Sequence, residues 1–184
     1  MIKLLTILWG IMLKKSSPQD LPRSGFLLGL MFFFYFLSNI YPSTIDLSNI
    51  VPGTVEPTVE DFLKKFFINV VLLSIYLRLI LQLSGTLSFF KQALSALFGT
   101  GTILNIMATP IIIIISNSMV DAASINDIEI PTAVSIALLA IAIWSIIVMA
   151  HIFSRVMSNP SFAMTAAFSY AVVNFVVQSS IASL

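Results

Sequence analysis

The chain has 184 residues, of which 58% are hydrophobic and only 9% are charged, and its mean hydropathy is +1.03. Soluble domains carry about 25% charged residues, so this composition excludes a water-soluble fold and makes the lipid bilayer the solvent for most of the chain. The net charge of +1 gives no electrostatic basis for binding nucleic acid. Cysteine is absent and histidine occurs once, which excludes disulfides, thiolate sites and a histidine cluster for a metal within one chain.

Residues 1–15, MIKLLTILWGIMLKK, are an apolar run with lysines near both ends. No small-residue cleavage site follows, so we expect the run to be retained rather than removed as a signal peptide. Residues 4–13 are too few to cross a bilayer, which needs about 20 apolar residues, whereas the lysines and Trp9 suit the membrane interface. The run is apolar almost all round, and two placements stay open: an interfacial helix on the membrane surface, or a helix packed partly under its neighbours.

A short polar segment, SSPQDLPRSG, separates this run from the first long apolar stretch. Ser17 can cap a helical turn, Pro18 suits its first position, and Asp20 occupies the third, as in a capping box. Pro22 cannot continue that turn but can start the next helix, whose positive end Asp20 can cap. We therefore predict a fixed hinge at Pro18, Asp20 and Pro22, with docking of a partner there as the alternative.

Five stretches can cross a membrane, which predicts an all-α polytopic bundle of five transmembrane helices in a single domain, residues 1–184. The predicted spans are residues 25–41, 66–83, 93–118, 132–152 and 161–182. The third is the least regular, because GTGT at residues 99–102 can break it and Pro110 removes a backbone donor. In lipid, the carbonyl that Pro110 frees needs a nearby partner, for which Thr109 is a candidate.

Basic residues fall unevenly between the two sides of these spans. With the N-terminus inside, the outer segments hold only Lys64 and Lys65 of the nine Lys and Arg residues. Cytoplasmic segments carry the excess of Lys and Arg, so we predict a cytoplasmic N-terminus and a C-terminus on the outer side. We expect an integral protein of the inner (cytoplasmic) membrane of a bacterium. Before the second span, Thr58 and Asp61 match a capping box.

Polar side chains, which are costly at membrane depth and often functional, repeat at helical spacing in three of the spans. They are Ser74, Arg78 and Gln82 in the second, Thr102, Asn105 and Thr109 in the third, and Tyr170, Asn174 and Gln178 in the fifth. Arg78 lies about one turn from the inner end of its span, where it can reach lipid headgroups or bind an anionic lipid. The alternative is a hydrogen bond to Gln82, Asn105 or Tyr170. The amide stripes suit hydrogen bonds between helices, or a polar route for a solute.

Small residues predict close helix packing at two places. Gly25 and Gly29 form a GxxxG pair in the first span, and small residues repeat every fourth position in the fifth, at Ala163, Ala167 and Ala171. Both faces can contact either the chain's own bundle or the helix of a partner.

His151 lies at the end of the fourth span, four residues before Arg155. No acid stands near it in the sequence to complete a catalytic triad, and we expect it to contact a headgroup or the backbone. No phosphate loop, zinc motif or nucleotide fingerprint is present, which predicts a protein that is not an enzyme and needs no cofactor or metal. In the first span, FFFYF at residues 32–36 places aromatic rings on all sides, facing lipid or a partner.

The layout resembles the Yip1-domain family of small five-span membrane proteins. The residues that carry the likeness are DLP, from Asp20 to Pro22, a shorter form of the family's Asp-Leu-Tyr-Gly-Pro motif at the same place before the first span; its tyrosine and glycine are absent here. Eukaryotic members are implicated in vesicle traffic, so the resemblance implies a non-enzymatic membrane protein.

Two functions follow as hypotheses. The leading one is a non-catalytic scaffold or accessory subunit that binds other integral membrane proteins, or a second copy of itself, through its helices. The alternative is a small channel or transporter component, whose polar route is lined by Arg78, Asn105, Asn174 and Gln178. Membrane lipids are the other expected partners. Every acid maps to a loop or a helix end, which argues against a proton-coupled pump.

Overall fold

A computed structural model of the chain describes residues 2–43, 58–120 and 130–182. These residues form the helices α1 (Ile2–Met12), α2 (Gly25–Ser43), α3 (Val59–Leu83), α4 (Phe90–Val120), α5 (Thr132–Val156) and α6 (Ala163–Ala182). Short 3-10 turns precede α2, α4 and α6, at Pro18–Asp20, Leu87–Phe89 and Pro160–Phe162. No strand occurs in the described residues, and the predicted all-α helical bundle is confirmed. Most of the two predicted outer loops, with five of the acidic residues, lies outside them.

Four of the helices, α3, α4, α5 and α6, are long and apolar enough to cross a membrane. At most 28% of the most apolar window of any of them is buried, so their outward faces are apolar, as contact with lipid requires. The chain is an integral membrane protein. Helix α2 has 19 residues, about 28 Å at 1.5 Å per residue, and its described apolar part, Gly25–Ile40, is shorter than the other four. A fifth crossing, by α2, therefore stays a prediction.

Side chains that share a cavity fix the relative directions of the helices. Arg23, just before α2, lines one cavity with Arg78, late in α3, and Lys91, at the start of α4. At the opposite end, Lys65, early in α3, lines a cavity with Gln178, late in α6. Helices α2, α4 and α6 therefore run opposite to α3, and the two ends of the bundle are named below the Arg78 end and the Lys65 end.

Helix α4 is the centre of the bundle, where it packs against α1, α2, α3 and α5. It runs unbroken through Gly99 and Gly101, where a break was an open possibility. A Cβ on Gly99 would lie 2.7 Å from a methyl carbon of Leu8 and 3.0 Å from the sulfur of Met31, and one on Gly101 would lie 2.9 Å from the ring of Tyr35. The two glycines therefore serve the close approach of α1 and α2 to α4.

Pro110 also lies inside α4. The carbonyl it frees, one turn back, is that of Ile106. Thr109 was the candidate partner, but its hydroxyl donates to the carbonyl of Asn105 at 2.9 Å. That role for Thr109 is wrong, because the hydroxyl is already engaged within its own turn of helix.

Helix α1 lies with one face on the bundle and the other face outward. Leu8 and Ile11 are buried where α1 packs against α4 and α5. Ile2 and Trp9 are exposed on the other face. Of the two placements left open for this segment, the structure shows a helix packed partly under its neighbours. Its outer apolar face is available for contact with lipid.

The aromatic run of α2 divides between the two environments. Phe32 and Tyr35 pack against Phe98 of α4, with ring centroids 5.7 Å and 5.3 Å away, and both also contact Phe66 of α3. Phe33 is 52% exposed. The expectation that the whole run faces lipid or a partner is therefore wrong for Phe32 and Tyr35, and Gly101 of α4 leaves room for the Tyr35 ring.

Of the small residues, the alanines pack within the chain and the glycines of α2 do not. Ala163 and Ala167 are buried where α6 meets α5 and α3, and Ala171 is partly buried. Gly25 and Gly29 are exposed, and a Cβ at either would meet no atom within 4 Å. The prediction that these two glycines pack inside the bundle is therefore wrong, while their contact with a partner's helix stays a prediction.

Candidate functional site

The hinge before α2 contains the predicted capping box. The backbone amide of Ser17 donates to the carboxylate of Asp20 at 2.8 Å, and the hydroxyl of Ser17 accepts from the amide of Gln19 at 3.2 Å. Pro18 is the first residue of the 3-10 turn and is buried. These contacts stay within one turn and are structural, as predicted for Pro18 and Asp20.

The start of α2 differs from its prediction. The helix begins at Gly25, three residues after Pro22. The hydroxyl of Ser24 accepts from the amide of Leu27 at 3.4 Å, which is the capping position. The predictions that Pro22 starts this helix and that Asp20 caps it are wrong, because the carboxylate of Asp20 is held by its own turn. At the start of α3, by contrast, the predicted capping box of Thr58 and Asp61 is confirmed.

Helix α5 holds the hinge through two of the predicted site residues. His151 is buried, and its Nε2 lies 3.0 Å from the carbonyl oxygen of Ser16. The backbone carbonyl of Arg155 accepts from the side-chain amide of Gln19 at 2.7 Å. His151 thus makes the backbone contact expected of it, and the Arg155 side chain is left exposed.

A cavity of about 200 Å³, called here the central part, lies among α2, α3, α4, α5 and α6. A second cavity of about 320 Å³ lies next to it toward the Lys65 end, and Asn69 and Asn174 line both. Because exposed Lys65 lines the second cavity, the pair, called here the polar cavity, reaches the surface of the bundle. Its polar lining residues are Tyr35, Asn39, Lys65, Asn69, Thr100, Asn105, Ser145, Tyr170, Asn174 and Gln178.

Hydrogen bonds between helices organise these side chains. The hydroxyl of Tyr170 donates to Oδ1 of Asn69 at 3.0 Å, and Nδ2 of Asn69 donates to the hydroxyl of Tyr35 at 3.3 Å. Nδ2 of Asn105 donates to the hydroxyl of Ser38 at 3.1 Å. These bonds join α6, α3, α2 and α4, so Asn105 and Tyr170 make the helix-to-helix contacts predicted for their stripes.

Asn174 is the lining residue with an unmatched polar atom. Its Oδ1 is buried and has no hydrogen-bond partner; among the described residues, Thr86 holds the other side-chain oxygen of this kind. One turn on, the amide of Gln178 donates to the carbonyl of Lys65 at 3.5 Å. Leaving an acceptor buried and unpaired costs about 1–3 kcal/mol, so the Asn174 oxygen is the place where this cavity has most to gain from a hydrogen-bond donor.

The polar cavity is closed toward the Arg78 end. Leu73 and Val148 line it, and about one helical turn further on Leu77, Ile152 and Phe153 are fully buried. The central part has no charged lining residue. Its amides and hydroxyls can donate and accept hydrogen bonds but offer no counter-charge, which suits an uncharged polar molecule. No group of three potential metal ligands occurs in the described parts of the chain.

Arg78 does not join the polar cavity. It is exposed and lines a separate cavity at its own end with Arg23 and Lys91. The predicted bond from Arg78 to Asn105 or Tyr170 is wrong, because those side chains pair with Ser38 and Asn69. Gln82 is also exposed, and it lines neither the polar cavity nor the cavity at the Arg78 end.

The cavity residues missing from the sequence predictions are chiefly Asn69 and Tyr35. Asn69 lies three residues after Phe66 and four before Leu73, both buried. That 3-4 spacing marks the inward face of α3 and would have placed Asn69 inside the bundle. The stripe of Ser74, Arg78 and Gln82 lies on a more exposed face of the same helix.

Fold and cavity together define an integral membrane helical bundle with a polar cavity between its helices, reaching the surface at one end. Comparisons with known proteins give no match to this chain, whether among protein-family models, curated proteins or solved structures. The resemblance to the Yip1-domain family therefore stays a prediction.

Proposed function

We propose that this protein is a non-catalytic membrane transport component that binds a small, uncharged, hydrogen-bonding solute in the polar cavity. The observation that carries the proposal is the buried, unpaired Oδ1 of Asn174 in a residue that lines both parts of that cavity. A solute N–H or O–H that reaches this oxygen would satisfy an acceptor whose burial is otherwise unfavourable by about 1–3 kcal/mol.

The chemistry of the lining supports the class of solute. An ion in the central part would lose its hydration and meet no opposite charge, which is strongly unfavourable. The central part, with a volume of about 200 Å³, is smaller than the roughly 300–1,000 Å³ of sites for drug-sized ligands. Molecules of the size and polarity of glycerol or urea match both conditions.

The direction of access follows from the orientation that the basic residues predict. With the N-terminus in the cytoplasm, the Lys65 end faces outward, and solute enters from outside. Passage to the cytoplasm requires Leu77, Ile152 and Phe153 to separate, as when a transporter changes from one open side to the other. The route differs from the predicted one in excluding Arg78 and including Asn69.

Reconstitution in liposomes tests the proposal. Entry of glycerol and urea is followed by stopped-flow light scattering for wild-type protein, for Asn174→Leu and for Gln82→Leu. The second variant is the matched control, because Gln82 is an exposed amide that lines neither part of the polar cavity. We expect entry faster than in protein-free liposomes for wild type and Gln82→Leu, and the protein-free rate for Asn174→Leu. The proposal would be contradicted if glycerol and urea entered liposomes with wild-type protein no faster than protein-free liposomes.

A second candidate function is the predicted scaffold, and the exposed pair Gly25 and Gly29 favours it. With nothing within 4 Å of a Cβ at either position, this face of α2 is open to close approach by another membrane helix. The test is co-purification in mild detergent of wild type, Gly29→Leu and, as control, Ala140→Leu on the exposed face of α5. A stoichiometric membrane protein lost only with Gly29→Leu supports a scaffold, and absence of such a protein from the wild type counts against it.

A further inference from the structure

The cavity at the Arg78 end has a different chemistry from the polar cavity. Its volume is about 420 Å³, and its lining contains three cations, Arg23, Arg78 and Lys91. They come from three parts of the fold: the link before α2, the end of α3 and the start of α4. The other lining residues are Leu87, Ser88 and Phe90.

No acidic side chain lines this cavity. Among the described residues, the carboxylate of Asp20 accepts from the backbone of Ser17, and Glu60 pairs with Lys64 at 2.9 Å. Asp61, on the same helix as Arg78, stands about 26 Å from it at 1.5 Å per residue. Among the described residues, no acid forms an ion pair with any of the three cations, so they repel one another and an anion between them would be stabilised.

Arg23 is held in place for such an anion. Its Nε donates to Oε1 of Gln92 at 3.0 Å, and its guanidinium carbon lies 5.0 Å from the centre of the Phe89 ring. The amide of Gln92, only 4% exposed, donates to the carbonyls of Gln19 at 2.9 Å and Leu21 at 2.6 Å. Because that amide nitrogen faces two carbonyls, Oε1 must face Arg23, which leaves the terminal guanidinium nitrogens for a ligand.

The start of α4 adds to the positive potential. Lys91 is in its first turn, where the helix dipole is positive. Thr86 makes no side-chain cap to the 3-10 turn that leads into this helix. Leu87 and Phe90, which also line the cavity, offer apolar contact beside the charges.

We propose that this cavity binds a phosphate group, with the guanidinium groups of Arg23 and Arg78 and the ammonium group of Lys91 on its oxygens. Guanidinium groups bind phosphate oxygens in pairs, and lysine binds them as a point charge. The group belongs either to a phospholipid headgroup or to free phosphate. The proposal shares no lining residue with the polar cavity and does not depend on solute transport.

Binding to purified full-length protein in detergent tests this site in two arms. In one, phosphatidylglycerol is titrated and retained lipid is counted by native mass spectrometry. In the other, inorganic phosphate is titrated by calorimetry. The variants are Arg78→Gln and Lys91→Gln, both at exposed positions. The control is Arg155→Gln, an exposed arginine toward the same end that does not line the cavity.

We expect phosphatidylglycerol to bind about tenfold more weakly to Arg78→Gln than to wild type, as for loss of one charge-assisted contact, with Arg155→Gln unchanged. Lipid binding without binding of inorganic phosphate supports a headgroup site, and binding of both supports recognition of the phosphate group itself. Equal losses in Arg78→Gln and Arg155→Gln would show attraction by net charge and overturn the proposal. The proposal would also be overturned if wild-type protein bound phosphatidylglycerol and inorganic phosphate no more tightly than Arg78→Gln does.

Discussion

Nε2 of His151, near the end of α5, lies 3.0 Å from the carbonyl oxygen of Ser16, 135 residues earlier in the chain. One helical face of α5 makes a second contact of the same kind, because Nε1 of Trp144 donates to the carbonyl of Met12 at 3.2 Å. Together the two bonds hold the end of α1 and the hinge against the bundle. The histidine therefore has a structural role, as the hydrogen-bond partner of a backbone carbonyl.

Replacing His151 by phenylalanine should loosen the hinge. The ring keeps its bulk, but the Ser16 carbonyl loses its partner, which costs about 1–3 kcal/mol. We expect a lower unfolding temperature and faster hydrogen exchange in a peptide covering residues 13–21. His151→Gln keeps a donor and should recover part of the protection. Unchanged exchange in His151→Phe would mean that the other contacts of the hinge suffice.

Gly101→Ala should destabilise the bundle, whereas Gly29→Ala should not. A Cβ on Gly101 meets the Tyr35 ring at 2.9 Å, and that ring is held by stacking on Phe98. Overpacking of this kind costs about 1–3 kcal/mol. A Cβ on Gly29 meets nothing within 4 Å, so alanine there should be neutral or stabilise by up to about 1 kcal/mol. Thermal unfolding of both variants measures the difference, and equal shifts would refute this account of α4.

Tyr170→Phe should cost about 0.6 kcal/mol, and at most about 1.7 kcal/mol, the range for hydrogen bonds between membrane helices. The variant loses the donor to Asn69, which also donates to Tyr35. Because the two tyrosines share one amide, the free energies of unfolding of Tyr35→Phe and Tyr170→Phe should not add in the double variant. Additive values in reversible unfolding would show that the two bonds are independent.

Cysteine labelling tests whether α2 crosses the membrane. The chain has no cysteine, so Lys15→Cys and Lys64→Cys each supply a single reactive thiol, one before α2 and one early in α3. With an impermeant maleimide added outside intact cells, we expect reaction at position 64 only. Labelling of both positions from outside would remove α2 from the spans and place the N-terminus outside, with the later helices still oriented as predicted.

Much of the fold could be predicted from hydropathy, because long apolar stretches have few alternatives to helices in a bilayer. The residues at which each helix begins and ends were less predictable. Helix α3 begins at Val59 rather than at residue 66, since the capping box at Thr58 starts it within a charged turn. A break at residues 99–102 was left open and an irregularity was expected at Pro110, yet α4 is one continuous helix from Phe90 to Val120.

The cavities were less accessible to sequence reasoning because each depends on residues far apart in the chain. Arg23 and Gln92 are separated by 69 positions, and no spacing rule connects them. A polar stripe with four-residue spacing identified Asn174 and Gln178 but missed Asn69, which has buried apolar neighbours on its own face of α3. Combining polarity with the inward face of each helix would have found it.

The central position of α4 bears on how the protein is made. Helices α1 and α2 leave the ribosome before the surface they pack on, so the first stretches to reach the membrane must wait there for Gly99 and Gly101 to be translated and inserted. Until then Leu8, Met31 and Tyr35 lack the surface of α4 on which they pack. Completion of the bundle is therefore a late event in synthesis, and a chain halted before α4 lacks the helix around which the rest assembles.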